Sequence, residues 1–131
     1  MNKIFPPDWI KSDGTRYKFD GTLAAGTYFA RLDLQGACEF AGTFLTDGAL
    51  EATATVDGND VPTSVTAATD YAATGAGGWT DESAITDVAI VAGTSSYSLG
   101  HVVDFERSRA RVKLVVTTGG TCTLYPTIKV E

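Results

Sequence analysis

The stretch from Phe105 to Glu131, FERSRARVKLVVTTGGTCTLYPTIKVE, decides how the chain is read. Arg107, Arg109, Arg111 and Lys113 occupy alternate positions, and Val112, Leu114 and Val116 fill the opposite phase. A period of two marks a strand with one face on a core. Gly119-Gly120 interrupts the run, and Cys122, Leu124, Ile128 and Val130 resume it. Paired glycines between two alternating segments predict a β-hairpin, since the tightest hairpin turns need left-handed backbone that glycine adopts without steric cost.

Upstream segments repeat the rhythm. YFARLDL sets Tyr28, Ala30, Leu32 and Leu34 against Phe29, Arg31 and Asp33, and ALEATATV sets Leu50, Ala52, Ala54 and Val56 against Ala49, Glu51, Thr53 and Thr55. In YSLGHVVDF the same phase carries Tyr97, Leu99, His101, Val103 and Phe105. CEFAGTFL is more uniformly apolar, as a central strand is, with Gly42 marking a bulge or bend. Asp13-Gly14, Asp20-Gly21, Asp47-Gly48 and Asp57-Gly58 are turn candidates, because Asp tolerates the left-handed region and Gly occupies it freely. No segment shows a sustained 3.6-residue period. About eight short strands with closely spaced turns predict an all-β fold, an antiparallel β-sandwich of jelly-roll type over 23–131.

The first 22 residues differ. Pro6-Pro7 imposes an extended course, and Phe5, Trp9 and Ile10 are large apolar groups in a polar setting. They predict an N-terminal arm over 1–22, laid either on a neighbouring subunit or as a lid on the chain's own sandwich. From Asp60 to Asp81 the sequence is rich in Gly, Thr and Ala without a stable period, a long loop of the sort that often carries function. Tyr71 and Trp79 lie in it.

With 131 residues, 44% of them hydrophobic, the chain suffices for one domain and one core. Its net charge of −6 argues against direct nucleic-acid binding, which draws most of its affinity from neutralising phosphates. No apolar run reaches the roughly 20 residues that span a bilayer, and the N-terminus lacks the apolar core of a secretory signal, so the chain reads as cytoplasmic in origin or already trimmed. Cys38 and Cys122 lack CxxC spacing; they form either one bridge or two buried thiols, the latter fitting a cytoplasmic product.

The residues give little support for catalysis. His101, the sole histidine, sits in a strand beside Gly100 and has no partner pattern of a triad around it. The acids at Asp81-Glu82, Asp57/Asp60 and Asp104/Glu106 read as solvated surface rather than a glycosidase pair. DGND at 57–60 lacks the glutamate that completes a calcium loop and reads as a turn. GAGGW at 75–79 lacks the spacing of a phosphate loop. No cofactor or metal is expected. Two features remain. Residues two apart in a strand share a face about 6.6–7 Å apart, so Arg107, Arg109, Arg111 and Lys113 form a basic row, either a solvated face with acidic cross-strand partners or a docking stripe for an acidic surface. Tyr71 and Trp79 form either a stacking platform for a sugar or, in the case of Trp79, a plug on the core.

Taken in order, GGWTDESAITDVAIVAG, YSLGHVVDF and RARVKLVVTTGGTCTLYPTIKVE resemble the small β-sandwich head decoration, or cement, proteins of tailed bacteriophages. In that family a short W-T-D turn precedes a strand, and the chain finishes with an R-x-R-V-K-hydrophobic strand, a glycine-containing turn and a last strand. The matching positions are Trp79-Thr80-Asp81, Arg109 to Val116, Gly119-Gly120 and Cys122 to Val130, and the resemblance covers residues 75–131. It implies a structural virion protein, made in the bacterial cytoplasm, that binds the outside of an assembled capsid. It would clamp neighbouring major capsid protein subunits as a homo-oligomer, dimer or trimer, without catalysis, membrane or direct nucleic-acid contact. The interface residues would then be Phe5, Trp9, Ile10, Arg107, Arg109 and Arg111. A carbohydrate-binding module using Tyr71 and Trp79 is the alternative, and a small hydrolase the third.

Overall fold

A computed structural model describes residues 2–3, 6–33, 38–59, 79–81, 85–105 and 109–130, the side chains at 2–3, 33, 38–40, 59, 101–105, 109 and 128–130 excepted. Among them there is no helix; the chain is all-β. The strands are β1 (Asn2–Lys3), β2 (Trp9–Lys11), β3 (Arg16–Tyr17), β4 (Thr22–Leu23), β5 (Gly26–Asp33), β6 (Cys38–Thr46), β7 (Glu51–Asn59), β8 (Thr80–Asp81), β9 (Val88–Ile90), β10 (Ser96–Phe105), β11 (Arg109–Thr118) and β12 (Gly120–Val130). They form two antiparallel sheets packed face to face as a β-sandwich. The five-stranded sheet has the order β1-β12-β6-β10, with β4 also on β12; the seven-stranded sheet has the order β3-β2-β5-β11-β7-β8, with β9 also on β7.

The period-two pattern sorts the residues as the sequence predicts. Tyr28, Ala30 and Leu32 of β5, Ala52, Ala54 and Val56 of β7, and Ala110, Val112, Leu114 and Val116 of β11 face inward. There they meet Phe44, Leu99, Cys122 and Leu124 of the five-stranded sheet. Each large aliphatic side chain so buried contributes about 1.5–3 kcal/mol.

The predicted hairpin at Gly119-Gly120 does not exist. Both edges of β11 are occupied, by β5 and β7, whereas β12 pairs with β6, β4 and β1. The chain therefore crosses from one sheet to the other at Gly119. Neither glycine has a positive φ; what both positions require is space. A Cβ on Gly119 would lie 2.9 Å from the Leu23 carbonyl oxygen, and one on Gly120 would lie 2.7 Å from Asp47 Oδ1 and 2.8 Å from Leu50 Cβ. Asp47 Oδ1 accepts hydrogen bonds from the Ala49 and Leu50 amides, and Oδ2 accepts one from Thr121 N, which draws the carboxyl pKa below its ordinary value. The carboxylate thus fastens the β6–β7 connection to the start of β12. Gly120→Ala should force this cluster apart and cost roughly 1–3 kcal/mol, measured as a lower midpoint in urea; an unchanged midpoint would contradict the close approach.

Three more local expectations are corrected. Asp57-Gly58 is not a turn: both residues continue β7, paired with Arg111 and Ala110 on one side and Asp81 and Thr80 on the other. The bulge expected at Gly42 belongs to the opposite strand, where the register slips between Ser98 and Gly100 and Leu99 becomes the extra residue, its Cδ2 3.1 Å from where a Gly42 Cβ would be. Gly100, beside it, holds φ at +98°, a conformation that glycine adopts without steric cost. The unbroken alternation expected from Tyr97 to Phe105 therefore fails there, and the register slips again between Val102 and Phe105.

The described part of the predicted arm lies within the sandwich. Its strands alternate between sheets, β1 and β4 on β12, β2 on the edge of β5 with β3 beyond it. Between β4 and β1, β12 has no strand on that edge among the described residues, and Pro126, which has no amide to donate, falls in this interval. The N-terminal segment meets its first two residues, Cys122 and Thr123. Trp9, fully buried, donates from Nε1 to the Cys122 carbonyl at 2.7 Å, and Thr123 Oγ1 donates to the Phe19 carbonyl at 3.1 Å.

Cys122 is a buried free thiol, with its pKa pushed up to about 12 by burial. Cys38 pairs with Val130 and Cys122 with Thr46, at opposite ends of the β6/β12 ladder. That separation is roughly 27 Å at the standard strand rise, far beyond disulfide reach. In a Cys38→Ser variant, native Cys122 should resist alkylation near pH 8 and react only in denaturant; rapid labelling of folded protein would contradict its burial.

Candidate functional site

The outer face of the seven-stranded sheet brings two of the sequence-predicted residues together. Its register aligns Asp81 of β8, Asp57 of β7, Arg111 of β11 and Arg31 of β5 in one row. The next row along holds Thr55, Lys113, Phe29 and Ile10. Arg111 Nε donates to Asp57 Oδ2 at 2.9 Å. Its guanidinium lies 4.3 Å from the Phe29 ring centroid and 4.5 Å from that of Trp79.

This arrangement explains why a cation is buried on a face that alternation assigns to solvent. The guanidinium is planar and weakly hydrated, so its two faces accept aromatic rings while its edge keeps donors for a carboxylate. Arg111 is only 4% exposed. Burial draws its pKa below the usual range, and the hydrogen bond and charge of Asp57 act in the opposite direction. An ammonium in its place would offer neither the flat faces nor the directed edge.

The basic row is therefore not a continuous exposed stripe. Arg111 is committed to Asp57 and the two rings, and Lys113 is half-buried. The backbone of Arg109 pairs with Asp33 and Asn59; its side chain, like all of Arg107, lies outside the described residues. Trp9 and Ile10, expected as anchors on a neighbour, are buried in their own chain. Trp9 fills the core, and Ile10 packs beside Phe29 beneath the outer face. The reason is strand phase: successive residues of β2 face opposite sides of the sheet, so both are used. Phe5 and Tyr71 lie outside the described residues. Trp79 is half-buried at the start of β8, with its ring on Arg111. It is neither a plug in the inter-sheet core nor a free platform.

Phe29 and Asp57 are the residues that sequence reasoning passed over. Phe29 carried a signal, for it is an aromatic group in the polar phase of its strand, between Thr27 and Arg31. Asp57 was masked by the glycine that follows it, which suggested a turn. No protein-family model matches the chain, and no curated protein matches it.

Proposed function

We propose that the chain is a structural virion protein, a jelly-roll sandwich that binds the outside of an assembled phage capsid and stabilises contacts between major capsid subunits. It is made in the bacterial cytoplasm and acts by binding, without catalysis. The observation that carries this reading is that the two motifs of the phage-decoration resemblance, Trp79-Thr80-Asp81 and Arg109 to Val116, form one unit, with the Trp79 ring stacked on Arg111 and β8 and β11 flanking β7. Motifs so far apart in sequence have a common reason to be retained if the face they build is used together. A rigid double sheet also suits a part that is repeated over a lattice, where weak contacts add through effective concentration. The contacts themselves are not Trp9, Ile10 and Arg111, which are engaged within the subunit.

Co-sedimentation with assembled capsids, against unassembled capsid subunits as control, tests the reading. Saturable binding to the assembled shell is the expected result; no binding at protein concentrations of about 100 μM would reject it. The carbohydrate alternative needs an accessible indole, and one face of Trp79 is already taken by Arg111. A tryptophan fluorescence change on glycan titration that Trp79→Ala abolishes would favour that alternative instead.

A further inference from the structure

KSDGT at 11–15 and KFDGT at 18–22 are two copies of one turn. In each, the glycine amide donates to the lysine carbonyl, Gly14 to Lys11 at 2.8 Å and Gly21 to Lys18 at 2.9 Å, and in each the aspartate is exposed. The carboxylates differ. Asp13 Oδ1 accepts from the Thr15 amide at 2.9 Å, which holds the carboxyl pKa below its ordinary value. In the second turn the matching residue, Thr22, enters β4 opposite Thr121, and the Asp20 carboxylate has no hydrogen-bond or ion-pair partner among the described residues. The other two Asp-Gly pairs are held more firmly. Asp47 accepts from the Ala49, Leu50 and Thr121 amides, and Asp57-Gly58 lies within β7, a strand on either side, with its carboxylate on Arg111.

We infer that Asp20-Gly21 is a site of spontaneous backbone modification, at which aspartate rearranges to isoaspartate ahead of the other three Asp-Gly pairs. The reaction needs a carboxyl group free to take up a proton and turn toward the next residue, and a following amide nitrogen that no side chain shields, as glycine provides. The Gly21 nitrogen attacks Asp20 Cγ. The N–Cγ bond forms, the Cγ–OH bond breaks, and the hydroxyl leaves with the amide proton as water. Water then adds to the five-membered imide. Cleavage at Cγ–N restores aspartate; cleavage between the nitrogen and the original main-chain carbonyl carbon leaves that carbonyl as a free carboxylate and routes the chain through Cβ and Cγ. The backbone gains one carbon, the charge is unchanged, and no oxidant or cofactor enters. Both copies of the turn must release the same closing bond before the nitrogen can attack, so the bond from Thr15 to Asp13 is the difference between them. The added carbon falls between two fixed points. Phe19 gives its amide to Asp8 Oδ1 and its carbonyl to Thr123 Oγ1, each at 3.1 Å, and Leu23 is fully buried opposite Gly120. Modification therefore strains the seating of β4 on β12. This inference stands apart from the capsid reading.

Ageing the full native chain in warm, mildly acidic buffer tests it. Trypsin places Asp13 in peptide 12–16, Asp20 in 19–31, and Asp47 and Asp57 in 32–107. Isoaspartate in each peptide is read with an isoaspartyl-specific carboxyl methyltransferase and labelled S-adenosylmethionine, and electron-transfer fragmentation assigns positions within 32–107. Peptide 19–31 should accumulate isoaspartate at least about five-fold faster than 12–16, the factor for one hydrogen bond absent against one retained, and faster still than Asp47 or Asp57. In guanidinium chloride, where the turns are lost, the four pairs should converge to within about three-fold. The inference is overturned if native 19–31 stays unmodified while the unfolded chain reacts there, or if Asp13, Asp47 or Asp57 of the native chain reacts as fast as Asp20. An undiminished preference for Asp20 in guanidinium chloride would also overturn it, by tracing the effect to local sequence rather than to the fold.

Discussion

Trp9→Ala should lower the unfolding free energy by about 3–5 kcal/mol, the range for deleting a buried aromatic side chain. Trp9 is completely buried in the main core and is the largest of the fully buried side chains. It belongs to β2 of the seven-stranded sheet, yet its indole donates to Cys122 of the five-stranded sheet. The truncation thus opens a cavity and removes a tie between the layers. Domains of this size are stable by about 5–15 kcal/mol, so the loss is a large share of the total. Trp9→Phe separates the two effects. It keeps most of the ring volume but leaves the Cys122 carbonyl without the indole donor, for a cost of about 1–3 kcal/mol. Urea denaturation followed by circular dichroism gives both numbers. A loss below about 1 kcal/mol for Trp9→Ala would mean that the N-terminal segment is an appendage after all.

Asp57→Ala should be comparably damaging. The variant leaves the Arg111 guanidinium in a site where its side chain is 5% exposed, without the carboxylate that balances it there. Removing one member of a buried ion pair typically costs about 3–5 kcal/mol, chiefly because the other charge stays behind, desolvated. The paired replacement Asp57→Val with Arg111→Met should be markedly less harmful than the single change, since apolar side chains of similar size can occupy the space between Phe29 and Trp79. In a double-mutant cycle at neutral pH the coupling should be at the upper end of the usual 0.5–3 kcal/mol or so. Additive losses would show that Asp57 does not hold Arg111 in place.

The fold class was legible because β5, β7 and β11 each carry their own period-two signal, and burial then follows from phase, as in Val112, Leu114 and Val116. Connectivity was not. Gly119-Gly120 and Asp57-Gly58 both read as local turns, and in both the decisive constraint is tertiary: Asp47, Leu50 and Leu23 crowd the first pair, and β8 and β11 hold the second within a ladder. Local propensity cannot distinguish a glycine chosen for its backbone freedom from one chosen because another segment passes close by. The site was half legible. Arg111 and Trp79 stood out separately, but their contact depends on β7 lying between β8 and β11, an order that no local pattern encodes.

That order also separates the two outer faces. Since β11 and β12 belong to different sheets, the face that carries Arg111 and Asp57 and the face that carries Thr43 and Tyr125 lie on opposite sides of the molecule. Backbone nuclear Overhauser contacts in a uniformly labelled sample test this directly. The account predicts cross-strand contacts from Val112 and Leu114 to Ala30 and Tyr28 on one side and to Val56 and Ala54 on the other, and from Leu124 to Phe44. Cross-strand backbone contacts between Thr117 and Cys122, the pattern of a hairpin at Gly119-Gly120, would contradict it.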